Sequence, residues 1–240
     1  MNVAARAPSL RAVRAQKSAF DGRFCAKSPV FWPIARAARS FEGARDWPRV
    51  EDYARVFDEP ERAPVRFVVG AAKSRRWRRT SAPSVDTMYD ARIVAGEVPT
   101  RPGSWHDLAN ALVWGTFPRA KRALHARQHA VVRAWVPEGA SRLPNARTRE
   151  HDALALIDEG GVLETAAGPV VFGHALYEGL ALGVRAMVAR AIALPTPGRA
   201  PADLASLDAC FAAWLAEEPL LPERLPRVSL ADVAARTRPA

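Results

Sequence analysis

The fold is decided by residues 98–124, which read VPTRPGSWHDLANALVWGTFPRAKRAL. Ser104 is a favourable helix N-cap, and Asp107 places a carboxylate in the first turn, where the helix dipole stabilises negative charge. The helix should end before Pro118, because proline disrupts a helix interior but suits the first turn of the next helix. The stretch therefore predicts two consecutive helices, the second running to about Val136.

The first of these helices separates apolar from polar side chains. Successive side chains of a helix are rotated by about 100°, so one side collects Trp105, Leu108, Ala109, Leu112 and Val113. His106, Asp107 and Asn110 share another side with Trp114. Long charged residues usually cover a solvated face, whereas these types are typical of binding sites. We expect half of a functional site here, although helix capping also explains His106 and Asp107.

Upstream of this stretch the signals are shorter. Residues 65–69 read VRFVV and predict one strand that ends at Gly70. A helix is expected over residues 85–95, because apolar residues recur there at helical spacing and Gly96 can end it. Residues 97–103 are then expected to form a loop.

Downstream, three further helices are predicted. Thr148 can cap a helix that ends at Gly160, although a strand over residues 151–159 is the alternative. A helix is expected from Pro169 through Leu182, continuing to Leu194. Asp203 is the N-cap of a clear amphipathic helix, LASLDACFAAWLAEE.

Length and composition fit one globular domain. The chain has 240 residues, 49% of them hydrophobic and 25% charged, which suffices for a sizeable core. No apolar run approaches the roughly 20 residues that cross a bilayer, and the two cysteines form no CxxC pair, so a cytoplasmic protein is expected. We predict a mainly α, single globular helical domain over residues 29–240 with at most a few short strands, preceded by a basic, disordered tail over residues 1–28.

Positive charge is concentrated in the first third of the chain. The net charge is +10, and residues 1–80 hold 18 Lys and Arg against 8 Asp and Glu. Within them, Trp77 is surrounded by five cations, Lys73, Arg75, Arg76, Arg78 and Arg79. Such a segment can bind phosphates and stack on a base. Arg outnumbers Lys by 31 to 4, however, which is typical of a GC-rich bacterial genome and favours a plain solvated loop.

A second polar group occurs in FGHALYEGL, residues 172–180. His174 and Glu178 are four residues apart and thus share one helix face, with Tyr177 beside them. A carboxylate next to an imidazole raises its basicity, which suits a general base, a metal ligand or a structural ion pair. Asp158 and Glu159 add two carboxylates at a helix C-terminus, where the dipole opposes them and a cation would offset them.

Other patterns carry less information. His125 and His129 have the HxxxH spacing of metal ligands, but no glutamate stands between them, and His129 shares a side with Arg122 and Arg133. We therefore do not expect this pair to bind a metal, and we place His129 on an exposed side of the helix. The GxSxG elbow, the Walker loop and GxGxxG are all absent, which argues against serine hydrolases and common nucleotide binders.

Four segments of the chain resemble a bacterial family known only as domain of unknown function 3025. They are, in order, YDARIVAGEVPTR, WHDLANALVWGTFPRAKRAL, HDALALIDEGG and VFGHALYEGL, and they cover roughly residues 85–182. The family commonly has Arg where His151 stands and Asn where His125 stands, so no essential role is expected for these two. The resemblance implies no activity, only that the four segments meet in space.

These observations favour an enzyme with a polar pocket and acid–base or metal-assisted hydrolytic chemistry, with a divalent metal as an open option. The candidate catalytic residues are His106, Asp107, Asn110, His174 and Glu178. The candidate substrate-binding residues are Arg101, Trp114, Asp158, Glu159 and Tyr177. Two alternatives remain: a nucleic-acid-associated protein that uses the basic first third, and a structural or assembly factor without catalysis.

Overall fold

Helices predominate in the part of the chain that the computed structural model describes, residues 19–70, 85, 88–137, 147–184, 186–194, 203–217 and 220–237. The α-helices are α1 (Ala35–Ala38), α2 (Tyr89–Val94), α3 (Trp105–Thr116), α4 (Pro118–Trp135), α5 (Arg149–Gly160), α6 (His174–Ala181), α7 (Leu204–Trp214) and α8 (Leu230–Arg236). Short 3-10 helices span Phe24–Lys27, Pro29–Ile34, Arg39–Phe41, Val50–Val56, Pro60–Arg62 and Pro222–Arg224. The predicted mainly α character is confirmed.

The strands are short and form two sheets. They are β1 (Arg66–Val69), β2 (Glu97–Thr100), β3 (Gly161–Thr165), β4 (Gly168–Val171), β5 (Val188–Ala193) and β6 (Arg227–Ser229). β1 and β2 pair in parallel, and the larger sheet has the order β4-β3-β5-β6. Within it, β3 is antiparallel to β4 and parallel to β5, which is in turn antiparallel to β6.

Helix α3 lies at the centre of the fold. The Ser104 hydroxyl accepts a hydrogen bond from the Asp107 N–H, and the helix ends at Thr116, before Pro118, as predicted. Every residue from 107 to 114 is buried, because α3 packs against α4, α6 and the 3-10 segments. The polar side of this helix is therefore enclosed by protein.

Helices α4 and α5 begin as the sequence indicates. Pro118 is the first residue of α4, and the Thr148 hydroxyl accepts from the His151 N–H at the start of α5. The alternative of a strand over residues 151–159 is excluded by α5. Asp203 likewise caps α7 through the N–H groups of Ala205 and Ser206.

The predicted helix from Pro169 to Leu194 is wrong. β4 and β5 occupy its two ends, and only α6 between them is helical. Val162 and Leu163 pair with Val171 and Val170 across the β3–β4 hairpin, and such apolar cross-strand pairs stabilise a sheet. The helix pattern was local, whereas the pairing partners lie elsewhere in the sequence.

The predictions near residue 90 also need correction. The helix expected over residues 85–95 is the shorter α2, and residues 97–100, expected in a loop, form β2. β2 contains Pro99, which cannot donate to a ladder and therefore weakens the strand signal in the sequence. β2 nevertheless forms, because it pairs in parallel with β1. β1 itself corresponds to the strand predicted over residues 65–69.

Helices α5 and α6 approach each other very closely at their ends. α5 ends at Gly160, and Gly173 immediately precedes α6. A Cβ atom on Gly173 would lie 2.5 Å from the backbone of Gly160, so only glycine permits the contact. It brings Glu159, near the end of α5, next to His174, the first residue of α6.

Part of the predicted N-terminal tail is packed into the core. Phe20 and Phe24 are buried, and their rings lie 5.6 and 5.2 Å from the ring of Trp105. Aromatic pairs at this separation contribute beyond the area that they bury. The packed part of the chain thus includes residues 19–28, and residues 1–18 lie outside the described residues.

Candidate metal centre and adjoining cavity

Two histidines from different helices meet edge to edge. His106 lies in the first turn of α3, and His174 begins α6, which packs against α3. Their Nε2 atoms are 3.1 Å apart, and the ring planes are inclined by 70°. His174 is buried, whereas the side chain of His106 is 20% exposed. The two halves of the site that the sequence suggested separately are therefore in contact.

A carboxylate stands at the same point. Glu159 Oε1 lies 3.9 Å from His106 Nε2 and 3.7 Å from His174 Nε2. Among the described residues, these three side chains form the group whose nitrogen and oxygen atoms lie close enough together, within 4.8 Å, to hold one metal ion. The Glu159 side chain is 51% exposed, so it can move by the fraction of an ångström that ligation requires.

Each imidazole has a second carboxylate at its remote nitrogen. Glu178 Oε2 is 3.1 Å from His106 Nδ1, and Asp158 Oδ1 is 3.6 Å from His174 Nδ1. At 3.1 Å, Glu178 keeps the proton of the His106 ring on Nδ1 and leaves its Nε2 lone pair available. His174 Nδ1 has no hydrogen-bond partner among the described residues, and Asp158 acts on it through charge. Two Nε2 lone pairs repel each other at 3.1 Å unless a proton or a cation lies between them.

A buried lysine compensates part of this negative charge. Lys121 on α4 is fully buried, and its Nζ lies 2.5 Å from Asp158 Oδ1. The rings of Trp114 and Phe172 flank the ammonium group at 5.7 and 6.0 Å. Burial opposes ionisation of Asp158, but the charges of Lys121 and His174 outweigh it and hold the pKa of that carboxyl group well below its usual range.

A second histidine–carboxylate cluster lies nearby. Asp90 Oδ1 is 3.0 Å from His125 Nδ1, and Asp90 Oδ2 is 3.8 Å from His151 Nε2. The His125 ring stacks on Trp114 with the planes 9° apart. Burial raises the pKa of Asp90, but the hydrogen bonds and charges of the two histidines outweigh it, and the pKa lies below the ordinary value.

A cavity of about 490 Å³ between α2, α4 and α5 connects the two clusters. Asp90 and His125 line one part of it, and Asp158 and Glu159 line another. Two buried polar atoms on its wall, His125 Nε2 and Gln128 Oε1, have no hydrogen-bond partner among the described residues. Its remaining lining residues are Met88, Tyr89, Val131, Val132, Trp135, Val136, Arg147, Thr148, His151 and Ala155.

Two predicted site residues on α3 have other partners. Asp107 accepts from the backbone N–H and the guanidinium of Arg101, at 3.0 and 2.7 Å, which fastens the preceding loop to the helix. The amide of Asn110 donates to the Tyr89 hydroxyl at 3.2 Å and so lies near the cavity rather than at the two histidines.

Two predicted substrate-binding aromatics belong to the core. Trp114 is fully buried between Lys121 and His125. The Tyr177 hydroxyl donates to the Val171 carbonyl at 2.7 Å, and its ring lies against Phe31. Burial raises the pKa of Tyr177 well above its ordinary value. Neither side chain reaches the histidine pair.

Sequence reasoning missed Lys121, Gln128 and the pairing of His125 with Asp90. A usable signal was present, since all three α4 residues fall on the same stripe as the apolar Leu124 and Val132. Polar side chains on an apolar stripe are buried and must find partners. His125 is buried with these residues, since only 1% of it is exposed.

The basic segment Lys73–Arg79, quoted as KSRRWRR, lies outside the described residues. Among the helices that are described, none combines the length and the apolar character needed to cross a membrane.

Comparison with known families assigns the central segment. The model of the family described as Protein of unknown function (DUF3025) matches residues 78–170, so this segment is similar to that family. The matched segment includes His106, Asp158 and Glu159, whereas His174 and Glu178 follow it. No curated protein and no solved structure matches the chain.

Proposed function

We propose that the chain is a divalent-metal-dependent hydrolase in which His106, His174 and Glu159 hold the metal ion. The observation that carries the proposal is the convergence of two Nε2 atoms and one carboxylate, each imidazole being backed by a further carboxylate. Two His and one Glu form the ligand set of several catalytic zinc sites, which leave a fourth position for water.

The spacing of the two imidazole nitrogens fits this role. Zn–N bonds of 2.0–2.1 Å at a tetrahedral angle separate two nitrogens by about 3.3 Å, and His106 and His174 hold theirs 3.1 Å apart. The Glu159 oxygen is about half an ångström too distant for the same geometry, which rotation of its half-exposed side chain can supply. Imidazole and carboxylate ligands suit zinc, iron or manganese better than calcium.

The surrounding residues account for orientation and charge. Glu178 keeps the His106 ring in the tautomer that presents Nε2. The Asp158 carboxylate lies 3.6 Å from His174 Nδ1, and Lys121 holds that carboxylate ionised. If His106, His174 and Glu159 held a divalent ion, the site would gain a bound water of lowered pKa and a Lewis acid for a carbonyl or phosphoryl oxygen. Hydrolysis then consumes one water and separates the substrate into two products.

The test measures metal binding and hydrolysis on the full chain. Purified protein is stripped with a chelator and titrated with Zn²⁺ by calorimetry, and with Co²⁺ while the visible spectrum reports the coordination geometry. We expect one ion per chain with a tetrahedral cobalt spectrum. His106→Ala and His174→Ala should each weaken binding by at least about 100-fold, more than the 10–100-fold typical of outer carboxylates.

His129→Ala on α4 is the matched control, since His129 is not part of the three-residue group. It should leave the affinity unchanged. Hydrolysis of p-nitrophenyl acetate and p-nitrophenyl phosphate is compared with and without Zn²⁺, and at least one rate should depend on the metal and be lost in His174→Ala. Stoichiometry far below one ion, or equal affinity in the variants, contradicts the proposal.

A further inference from the structure

We propose that the cavity between α2, α4 and α5 is the substrate pocket, and that it selects a neutral or cationic ligand with an N–H donor and an apolar body. The identification of the ligand as a substrate rests on the proposed function, because it places the reacting end of the ligand at Glu159. The binding preference itself follows from the cavity wall and does not require a metal.

The polar part of the wall offers acceptors. Asp90 occupies His125 Nδ1 at 3.0 Å, so the proton of a neutral His125 ring is on Nδ1 and its Nε2 is an acceptor. Gln128 Oε1, one helical turn away, is a second acceptor. Neither atom has a partner among the described residues. Buried acceptors without partners cost free energy, and a ligand that donates hydrogen bonds removes that cost.

The opposite part of the wall is apolar. Val131, Val132, Trp135 and Val136 lie on the last turns of α4, and Met88 faces them across the cavity. Trp135 is 40% exposed, which is unusual for so large an apolar side chain, and its ring is available to a ligand. A volume of about 490 Å³ falls in the range of sites for small organic molecules.

The charges on the wall disfavour an anion. Three carboxylates line the cavity, those of Asp90, Asp158 and Glu159, against one guanidinium, that of Arg147. Lys121 neutralises Asp158 from behind, and the imidazoles of His125 and His151 face Asp90. In the metal-free protein, a ligand carboxylate would therefore lie beside Glu159, whose ion-pair partners among the described residues are the imidazoles of His106 and His174.

Three probes of one shape test the preference. Benzamidine is cationic and donates hydrogen bonds, benzamide is neutral and donates, and benzoate is anionic and only accepts. Each is titrated by calorimetry into chelator-treated full-length protein, with ligand-observed NMR to detect weak binding. We expect benzamidine and benzamide to bind and benzoate to bind at least tenfold more weakly.

Two variants locate the binding. Gln128→Leu removes one acceptor at similar volume, and Trp135→Ala removes exposed apolar surface without touching the core. Both should weaken benzamide binding about tenfold, whereas Val69→Ala, an exposed apolar residue on β1, should not. Tightest binding of benzoate, no binding of any probe at millimolar concentration, or unchanged binding in Trp135→Ala overturns the proposal.

The two proposals fail independently. Probe binding without any metal affinity leaves the pocket and removes the hydrolase. Metal affinity that needs His106 and His174, without probe binding, leaves the metal centre and removes the pocket.

Discussion

The two histidine clusters use the same residue types in different proportions. Around His106 and His174 stand three carboxylates, and one buried ammonium, that of Lys121, balances part of their charge. Around His125 and His151 stands a single carboxylate, that of Asp90. The first cluster thus has an excess of carboxylates, whereas in the second one carboxylate is shared by two imidazoles.

This difference in proportion determines what each cluster can bind. In the first, every Nδ1 faces a carboxylate and the Nε2 atoms converge, which is the arrangement that a cation requires. In the second, the two rings contact the same carboxylate from different nitrogens, so their remaining nitrogens do not converge on one point. A lone acceptor, His125 Nε2, results. Proximity of histidines is thus insufficient, and the positions of the carboxylates decide between a metal and an organic ligand.

The largest expected effect is the loss of stability on replacing Lys121, whose ammonium group has no counterpart in the second cluster as described above. Lys121→Met should lower the free energy of unfolding by about 3–5 kcal/mol, because it leaves the buried Asp158 without its cation. Urea unfolding at pH 7 measures the loss. Arg236→Met, which breaks the exposed pair with Glu164, is the control and should cost less than about 1 kcal/mol. Equal losses would mean that Lys121 is not needed to balance the first cluster.

The next effect belongs to the second cluster and depends on pH. The pKa of Asp90 is lower in the folded chain than its ordinary value of 3.8. The ionised carboxylate therefore contributes stability above pH 3.8, and this contribution disappears as the pH falls through the lower folded-state value. Asp90→Asn should cost about 1.5–3 kcal/mol at pH 7, the usual contribution of hydrogen bonds to a charged group.

Unfolding of wild type and Asp90→Asn by urea at pH 7 and at pH 3 checks this sign. The difference between the two proteins should shrink at pH 3. A difference that is the same or larger at pH 3 would show that the two histidines do not stabilise the ionised form of Asp90.

The smallest effect separates the two clusters by their metal affinity. Glu178→Gln should weaken Zn²⁺ binding about tenfold, because the amide holds the His106 ring but no longer raises its basicity. Asp90→Asn should leave the affinity unchanged. Competition with a chromogenic chelator measures both constants. If Asp90→Asn weakens binding as much as Glu178→Gln does, the two clusters are not distinct.

Local signals predicted most of the helices and half of the site. The caps Ser104, Thr148 and Asp203 and the proline at 118 mark helix starts through interactions within a few residues, so the sequence is sufficient to find them. Angular arithmetic on α3 correctly set His106 apart from its apolar neighbours. The pairing of this helix with FGHALYEGL was also anticipated, since His106 and His174 are in contact.

The predictions that failed concern strands and side-chain contacts that form only in the folded chain. β2 and β5 pair with strands 29 to 41 residues away in the sequence. β4 pairs with β3 across a short hairpin, but Pro169 weakens its strand signal, as Pro99 does for β2. Lys121 was overlooked because basic residues are abundant, although it is one of only 4 lysines among 35 basic residues. Asp107 and Asn110 were assigned to the right region but not to their partners, since Arg101 and Tyr89 reach them through the fold.

The contact between Gly160 and Gly173 provides a way to search for other chains with this centre. A Cβ atom on Gly173 would lie 2.5 Å from the backbone of Gly160, so Gly173 cannot be replaced without moving the start of α6 away from the end of α5. A Cβ atom on Gly161 would likewise lie 2.6 Å from the Ile157 carbonyl oxygen. Glu, any residue and Gly, followed twelve residues later by Gly-His, therefore form a compact signature. A sequence that keeps it, together with a Trp-His upstream, is expected to retain the same site even where the rest has diverged.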